Sequence, residues 1–260
     1  EPLWPDRWNY DALMARKAEI GTLKFTREYM CVPISTGTSL FNPEYLDAAK
    51  NKDLILKPMR REGFKYFVGV DPAISTDGDY NVITVIEMDE DENKRVVYVD
   101  RAKNVQFRDN IQKVKLINSM FRPEVVLFET NTFAKSFTQE LRQVADINVH
   151  DFNTTRRKKQ EIILNLQMTL ENNKLHFPYG NEESRRVTST LVEEMSMFAI
   201  TDNGKFEGIG AHDDMVMSLA LANAATYQAS EAFILLDDLD VFGGNPTASR
   251  PQRGFMGLNF

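Results

Sequence analysis

The chain has 260 residues, of which 42% are hydrophobic and 27% charged, and its formal net charge at pH 7 is −7. These values are typical of a globular protein with a substantial core. The acidic balance disfavours nucleic acid binding through a globally basic surface, although local basic patches could still bind it. The single cysteine, Cys31, excludes an intramolecular disulfide and favours a reducing compartment. The sequence has no signal peptide pattern, no zinc-type Cys/His cluster and no apolar run long enough to cross a membrane.

Residues 1–62 form a leading segment that is punctuated by prolines at positions 2, 5, 33 and 43. Within it, residues 11–20 and 44–50 are predicted to be helical. The chain begins at Glu1, not at a methionine, and its first residues are linker-like. We therefore expect residues 1–62 to be a linker from a preceding domain of a longer protein.

The core is predicted to begin at Phe64. Three β-strands come first, at residues 66–70, 82–88 and 96–100. A polar turn joins the second and third strands as a hairpin. Apolar residues then recur at helical spacing until Pro123 stops the helix. A fourth strand follows at residues 125–129, and because a helix leads into it, we expect it to run parallel to a neighbour.

The rest of the core alternates helices with short strands. The predicted elements are a helix at 133–144, a strand at 147–152, a helix marked by Ile162, Ile163, Leu166 and Leu170, a helix at 182–194, a β-hairpin at 197–209 and a last helix at about 212–227. This order predicts an α/β protein with a mixed five-stranded sheet and helices on both faces, as in the ribonuclease H-like fold. We expect that domain at residues 63–229, with the hairpin near its active site, and a flexible tail at 230–260.

Acidic residues end two of the predicted strands. Asp71 follows one apolar run and Glu129 follows another. Each alone is explained by an ordinary solvent-exposed strand end, and Asp71-Pro72 is also a common turn sequence. If the first and fourth strands are neighbours, however, they lie about 4.8 Å apart and bring the two carboxylates together. A cation between the carboxylates would remove their repulsion, so the pair favours a metal site.

A third acidic position, Asp213-Asp214, opens the last predicted helix. Aspartate is a favoured N-cap and suits the positive end of a helix, but one aspartate is sufficient for that role. We expect one of the two to cap or support the helix and the other, with a preference for Asp214, to bind metal. His212 is interpreted as a polar loop residue that could position water or hold an aspartate.

Carboxylate oxygens held in this way suit Mg²⁺ or Mn²⁺. The candidate catalytic and metal-binding residues are Asp71, Glu129, Asp213 and Asp214. Residues that could support them from further out are Asp79, Asn131 and His212. Two metal ions about 3.5–4 Å apart would hold the attacking water and the leaving oxygen of an in-line displacement. The sequence therefore predicts a metal-dependent phosphoryl-transfer enzyme, with a nuclease as the first candidate.

The densest basic run of the core lies at a predicted helix start and consists of Arg156, Arg157, Lys158 and Lys159. It could be only a solvated helix face. Cations are mildly unfavourable at a helix N-terminus, whereas a helix N-terminus with basic side chains is a good phosphate site. We therefore predict that these four residues contact the DNA backbone.

Several short motifs occur in order along residues 64–228. They are Gly69-Val70-Asp71-Pro72-Ala73, Asp79-Tyr80, Leu127-Phe128-Glu129-Thr130-Asn131, Lys159 ahead of Leu175-His176-Phe177-Pro178, and His212-Asp213-Asp214-Met215-Val216 with Ser218-Leu219-Ala220. Each motif alone is weak, but the ordered set resembles the nuclease domain of the large terminase subunit of tailed bacteriophages. The upstream run from Trp4 to Phe41 resembles the stretch that joins the motor domain of such proteins to the nuclease domain.

The resemblance implies a DNA-packaging endonuclease that cuts concatemeric double-stranded viral DNA with little sequence preference, in the host cell cytoplasm. It implies a two-metal site for Mg²⁺ or Mn²⁺ at the acids named above. The portal protein and the small terminase subunit are the implied partners, and no membrane is involved. The family's ATPase motor needs a phosphate loop that this sequence does not contain, so this chain alone is expected not to translocate DNA. We expect the isolated domain to be monomeric.

Three alternatives stay open at this point. A Holliday-junction resolvase or transposase-like nuclease shares the fold and the acids. An actin-like ATPase or sugar kinase also begins with a strand-end aspartate and a hairpin, but its Gly-rich phosphate loops are not found here. A non-catalytic DNA-holding or portal-docking domain would use its acids only for stability, and metal binding would distinguish it from a nuclease.

Overall fold

A computed structural model describes residues 2–31, 37, 39–57, 59–73, 80–130, 140–142, 147–209 and 212–228. Several predictions lie outside these residues. They concern the tail at 230–260, the residues Asp79 and Asn131, and most of the helix at 133–144, of which 140–142 are described and are helical. Within the described ranges, no helix is long and apolar enough to span a membrane.

Seven helices are described in full. They are α1 (Tyr10–Ile20), α2 (Thr22–Glu28), α3 (Pro43–Ala48), α4 (Phe107–Phe121), α5 (Arg156–Glu171), α6 (Glu182–Ser196) and α7 (Asp214–Gln228). The strands are β1 (Lys50–Asn51), β2 (Lys65–Asp71), β3 (Tyr80–Met88), β4 (Lys94–Lys103), β5 (Val125–Glu129), β6 (Val149–Phe152), β7 (Leu175–Pro178), β8 (Phe198–Ile200) and β9 (Phe206–Gly208).

One sheet of seven strands, in the order β1-β7-β4-β3-β2-β5-β6, carries the fold. Its centre is the predicted set: β2 is antiparallel to β3 and parallel to β5, β3 is antiparallel to β4, and β5 is parallel to β6. The predicted ribonuclease H-like fold class is therefore confirmed. The predicted count of five strands was too low, because β7 and β1 add to the β4 edge in parallel. The predicted hairpin is also confirmed, since β8 and β9 pair antiparallel.

The two faces of the sheet carry separate apolar cores, because side chains alternate along each strand. On one face, α4 packs on Val68, Val70 and Phe128, all of which are buried. On the other face, α5 and α7 pack on residues such as Phe67 and Leu127. Alternate side chains of one strand therefore pack into different layers. Neighbouring residues of a strand point to opposite faces of the sheet.

The leading segment also packs on the core. Leu40, Phe41, Leu46 and Ala49 are buried in the same apolar cluster as α5 and α7. The ring of Phe41 meets that of Phe198 edge-on at 6.1 Å between centroids. By contrast, α1 buries none of its residues. The segment thus contributes a short strand and part of the core to the ribonuclease H-like unit.

Candidate active site

Asp71 and Glu129 lie side by side at the same edge of the sheet. The parallel pairing of β2 and β5 runs up to Val70 opposite Phe128, and the two acids are the next residues of their strands. Val70 and Phe128 face α4, so alternation turns both acids towards α5 and α7. The two carboxyl groups lie close enough for Glu129 to raise the pKa of Asp71. The predicted pairing of the strand-end acids is therefore present.

Helix α7 approaches this edge because β2 carries a glycine where the helix crosses it. A Cβ atom on Gly69 would lie 2.1 Å from the carbonyl oxygen of Ser218 and 2.4 Å from the amide nitrogen of Ala222. The Ser218 hydroxyl donates a hydrogen bond to the Gly69 carbonyl at 3.0 Å. This backbone-to-backbone packing fixes the start of α7 beside the end of β2, which is where Asp71 lies.

The two aspartates at the start of α7 have different surroundings. Asp213 precedes the first helical residue, and its carbonyl accepts the N–H of Met217 at 2.9 Å, which is the backbone arrangement of an N-cap. Its carboxylate accepts a hydrogen bond from Lys159 at 2.9 Å. Asp214 accepts the backbone N–H of Tyr80 at 3.1 Å, and His212 Nδ1 lies 3.6 Å from the same oxygen. His212 precedes α7, which starts two residues later than predicted.

Asp71 lies among other acidic side chains whose charges act on it. Burial raises the pKa of Asp71 well above its ordinary value, and the charges of Glu129, Asp214 and Asp213 raise it further. Across the described ranges, no lysine, arginine or histidine forms an ion pair with Asp71. The other three predicted acids therefore all act on Asp71, and each of them destabilises its charged form.

The donor set at this edge consists of hard carboxylate oxygens. Such oxygens suit Mg²⁺ or Mn²⁺ and disfavour soft metals. In the described part of the chain, no three His, Cys, Asp or Glu side chains are arranged as a complete metal-binding cluster. Asp213 is instead paired with Lys159 and Asp214 with Tyr80 and His212. The residues fit a hard divalent cation by their chemistry and by the charge they place around Asp71.

A fifth acid, Glu194 of α6, lies next to the site and was missed from the sequence. Its side chain is only 5% exposed, and burial, with a smaller contribution from Asp214, raises its pKa to about 7. It accepts the N–H of Met215 at 2.9 Å and a hydrogen bond from Arg101 at 3.0 Å. One sequence signal was available, because Glu194 continues the buried stripe of Thr188 and Leu191 on α6.

The four residues of the basic run lie at the start of α5, and they contact different partners. Arg156 donates to the carbonyl of Asn203 at 2.6 Å, in the turn of the β8–β9 hairpin. Arg157 pairs with Glu161 at 2.9 Å, and Lys159 binds Asp213 as described. Lys158 is exposed, and its ammonium lies 6.0 Å from the centroid of the Phe152 ring. The run thus sits between the hairpin and the acids.

Comparison with known proteins agrees with this architecture. Residues 68–225 match the family described as the terminase RNaseH-like domain. No curated protein sequence matches the chain.

Several solved structures are similar. The large terminase nuclease from thermophilic phage G20c with bound magnesium is 24% identical with a TM-score of 0.55, over 74% of this chain and 98% of that one. Other structures of that nuclease contain cobalt or zinc. The large terminase nuclease domain of Thermus phage P74-26 is 23% identical with a TM-score of 0.52, over 71% and 94%. The large terminase of thermophilic bacteriophage D6E in complex with ADP is 13% identical with a TM-score of 0.58, over 85% and 53%. At these identities the likenesses establish the fold alone.

Proposed function

The chain belongs to the terminase RNaseH-like domain family, and from this premise we propose that it is a metal-dependent endonuclease. Its substrate is concatemeric double-stranded viral DNA, which it cuts during genome packaging in the host cell cytoplasm with little sequence preference. The observation that carries the proposal is the pair Asp71 and Glu129 at adjacent strand ends, next to the acids that open α7. A fold gains no stability from such a cluster, because each charge raises the cost of ionising Asp71.

Asp71, Glu129, Asp214 and Asp213 are the residues that would hold Mg²⁺ or Mn²⁺. When bound, such ions would neutralise charge on the scissile phosphate and supply an activated water for hydrolysis. Because burial and the charge of Glu129 raise the pKa of Asp71, a bound cation would relieve the repulsion between the two carboxylates. The magnesium, cobalt and zinc forms of the G20c nuclease support divalent metal use in this family.

The protein itself would supply positioning. Strand ends and the start of a helix are rigid supports, which would limit the movement of the four carboxylates when they are charged. Lys159, within reach of Asp213 at 2.9 Å, brings a cation to the edge where a DNA phosphate would lie. Arg156 and Lys158 extend the positive charge along the start of α5, and the β8–β9 hairpin bound to Arg156 would border the cleft. The portal protein and the small terminase subunit are the proposed partners within the packaging assembly.

The test is cleavage of supercoiled plasmid DNA in Mn²⁺, Mg²⁺ or EDTA, by the wild-type chain and by Asp71→Asn. We expect nicking and linearisation that require a divalent metal and fall on the order of 100-fold or more in the variant, since even supporting residues of metal sites cost 10–100-fold. Glu87→Gln is the matched control, because Glu87 is a buried acid of the same sheet at its opposite end. Equal cleavage by Asp71→Asn would refute the chosen site.

Two rival functions give different outcomes in the same assay. A non-catalytic DNA-holding or portal-docking domain would bind the plasmid without cutting it in any metal. A Holliday-junction resolvase would cut a synthetic four-way junction in preference to the plasmid duplex. We expect the plasmid duplex to be cut at least as well as the junction.

A further inference from the structure

A closed circuit of contacts runs behind the acids at the start of α7. Glu194 accepts the N–H of Met215 at 2.9 Å and the guanidinium of Arg101 at 3.0 Å. The guanidinium of Arg101 lies 3.4 Å from the centroid of the Tyr80 ring. The backbone N–H of Tyr80 donates to Asp214 at 3.1 Å, and Asp214 is the residue before Met215. The circuit therefore begins and ends on the same turn of α7.

Glu194 performs a task that usually falls to the N-cap side chain. The first N–H groups of a helix have no partner within it, and an N-cap aspartate normally accepts the one at the second or third helical position. Met215 holds the second position of α7, and its N–H goes to Glu194. The carboxylate of Asp213, the N-cap residue, is turned to Lys159 instead. Glu194 thus takes the place of the cap side chain, while the carboxylates of Asp213 and Asp214 accept hydrogen bonds from Lys159 and from the Tyr80 amide.

Burying Glu194 in this circuit costs folding free energy, which argues against a purely structural role. Glu194 is 5% exposed, and it lies close enough to Asp214 for the two charges to repel. An aspartate cap alone would satisfy the helix start without burying another carboxylate. Arg101 offsets part of the charge and also stacks on Tyr80, so one side chain connects α6 and β4 to β3. This places Asp214 between two anchored neighbours, the Tyr80 amide and the Met215 amide.

We propose that Glu194, held by Arg101, is a positioning residue that fixes the carboxylate of Asp214 for metal binding. The inference rests on the proposed metal-dependent function. It assigns no contact between Glu194 and the substrate or the metal. Glu194 acts through the start of α7, and Arg101 acts through the ring of Tyr80.

The test measures Mn²⁺ binding to the metal-free protein by titration calorimetry, beside the Mn²⁺ dependence of plasmid nicking. For Glu194→Gln we expect Mn²⁺ affinity to fall about 10–100-fold, the range found for residues that orient metal ligands. Nicking should recover when Mn²⁺ is raised, and DNA affinity in EDTA should match the wild type. Glu87→Gln should keep the wild-type Mn²⁺ affinity, because Glu87 also pairs with arginines but at the far end of the sheet.

Wild-type Mn²⁺ affinity in a folded Glu194→Gln protein would overturn the inference, as would an equal loss in Glu87→Gln. If Glu194→Gln does not fold, Arg101→Lys decides, since it keeps the charge and removes the planar stack on Tyr80; unchanged Mn²⁺ affinity there also overturns it. The proposed function is judged separately. A wild-type protein that binds Mn²⁺ without cutting DNA contradicts the nuclease alone, whereas one that binds no Mn²⁺ contradicts both.

Discussion

The two ends of the central sheet treat buried acids in opposite ways. At one end, Glu87 has a side chain only 2% exposed, and it is surrounded by donors: Arg61 binds it, Arg95 lies 3.6 Å away and the hydroxyl of Tyr66 donates to it at 3.3 Å. At the other end, Asp71 lies beside another acid, Glu129, whose charge raises the pKa of Asp71. We call these the compensated end and the acidic end.

The difference shows that this sheet is able to neutralise a buried carboxylate where stability requires it. Breaking a buried ion pair is costly, so the arginines around Glu87 are expected to stabilise the fold. At the acidic end, Lys159 pairs with Asp213, but the charges of Glu129, Asp214 and Asp213 still oppose the ionised form of Asp71. Stability sacrificed at a defined place, on rigid supports, is characteristic of a functional site. The predictions below test this contrast.

The largest effect is expected from adding a side chain at Gly69, where α7 packs closely on β2 beside the acidic end. In Gly69→Ala, the new Cβ would overlap backbone atoms of Ser218 and Ala222, so the helix must move away from β2. We expect the free energy of unfolding to fall by about 3 kcal/mol or more, and metal-dependent cleavage to fall with it. Urea unfolding measures the first. Gly63→Ala is the control for replacing a glycine, because Gly63 has open space around it. Its positive φ means that this variant also loses some stability through backbone strain.

If Gly69→Ala kept wild-type stability and cleavage, the close approach of α7 to β2 would not be what positions the acids.

Removing one charge from each end should change stability in opposite directions. Glu87→Gln breaks charge-assisted hydrogen bonds and is expected to lower the free energy of unfolding by about 2 kcal/mol. Asp71→Asn removes a repelled charge and is expected to raise it by about 1 kcal/mol in metal-free buffer. Denaturant unfolding in EDTA at pH 7.5 or so gives both values. Destabilisation by both variants would show that the acidic end is compensated after all.

The two ends should also respond oppositely to pH. The pKa of Glu194 rises from 4.5 to about 7 on folding, and that of Asp71 also rises. The folded state then binds more protons than the unfolded state, so this contribution to stability is lost as pH rises from about 4.5 through about 7. At the compensated end, burial acts to raise the pKa of Asp89, but hydrogen bonds from Asn93 and the charge of Arg95 lower it overall. Its contribution is present at neutral pH and is lost on acidification.

This pH dependence is measured as the difference in melting temperature between the wild type and each variant in EDTA from pH 5 to 8. Asp71→Asn and Glu194→Gln should gain stability relative to the wild type as pH increases. A constant difference across the range would contradict the raised pKa values.

The smallest effect is expected at the basic run. Lys158 is exposed at the start of α5, and its loss should remove about one phosphate contact. We expect Lys158→Ala to weaken DNA binding a few-fold, to reduce the slope of log affinity against log salt by about 1, and to leave Mn²⁺ affinity unchanged. Binding to duplex DNA in EDTA at several salt concentrations checks this. An unchanged salt slope would remove Lys158 from the DNA-binding surface.

Much of the central fold could be predicted because the sequence patterns of its strands and helices lie within short segments. The runs that became β2 and β5 are apolar and end in an acid, and their pairing follows from the order of elements. Strand β1 has two residues, too few for any pattern to show, and the four residues of β7 stand out only as a short motif, not as a strand. They form only because a partner strand edge is available, which is information that no short segment carries.

The candidate site was predictable to the same degree. Strand-end and helix-start acids are visible in the sequence, and the structure pairs β2 with β5 and packs α7 against β2; the roles of these acids stay predictions. Glu194 was not recognised because its partner Arg101 lies 93 residues away along the chain, and an acid on a charged helix normally faces solvent. For the same reason the partner of Arg156 could not be predicted, since the hairpin turn that it binds is 47 residues distant.

The central claim is that the acidic end is completed by a divalent cation, and thermal unfolding with and without Mn²⁺ tests it most directly. At Mn²⁺ about 100-fold above its dissociation constant, a ligand that binds only the folded state stabilises it by roughly 2.7 kcal/mol. We predict a stabilisation of this size for the wild type and for Glu87→Gln, and little or none for Asp71→Asn. Equal stabilisation of Asp71→Asn, or none in the wild type, would contradict the claim that these acids form a metal site.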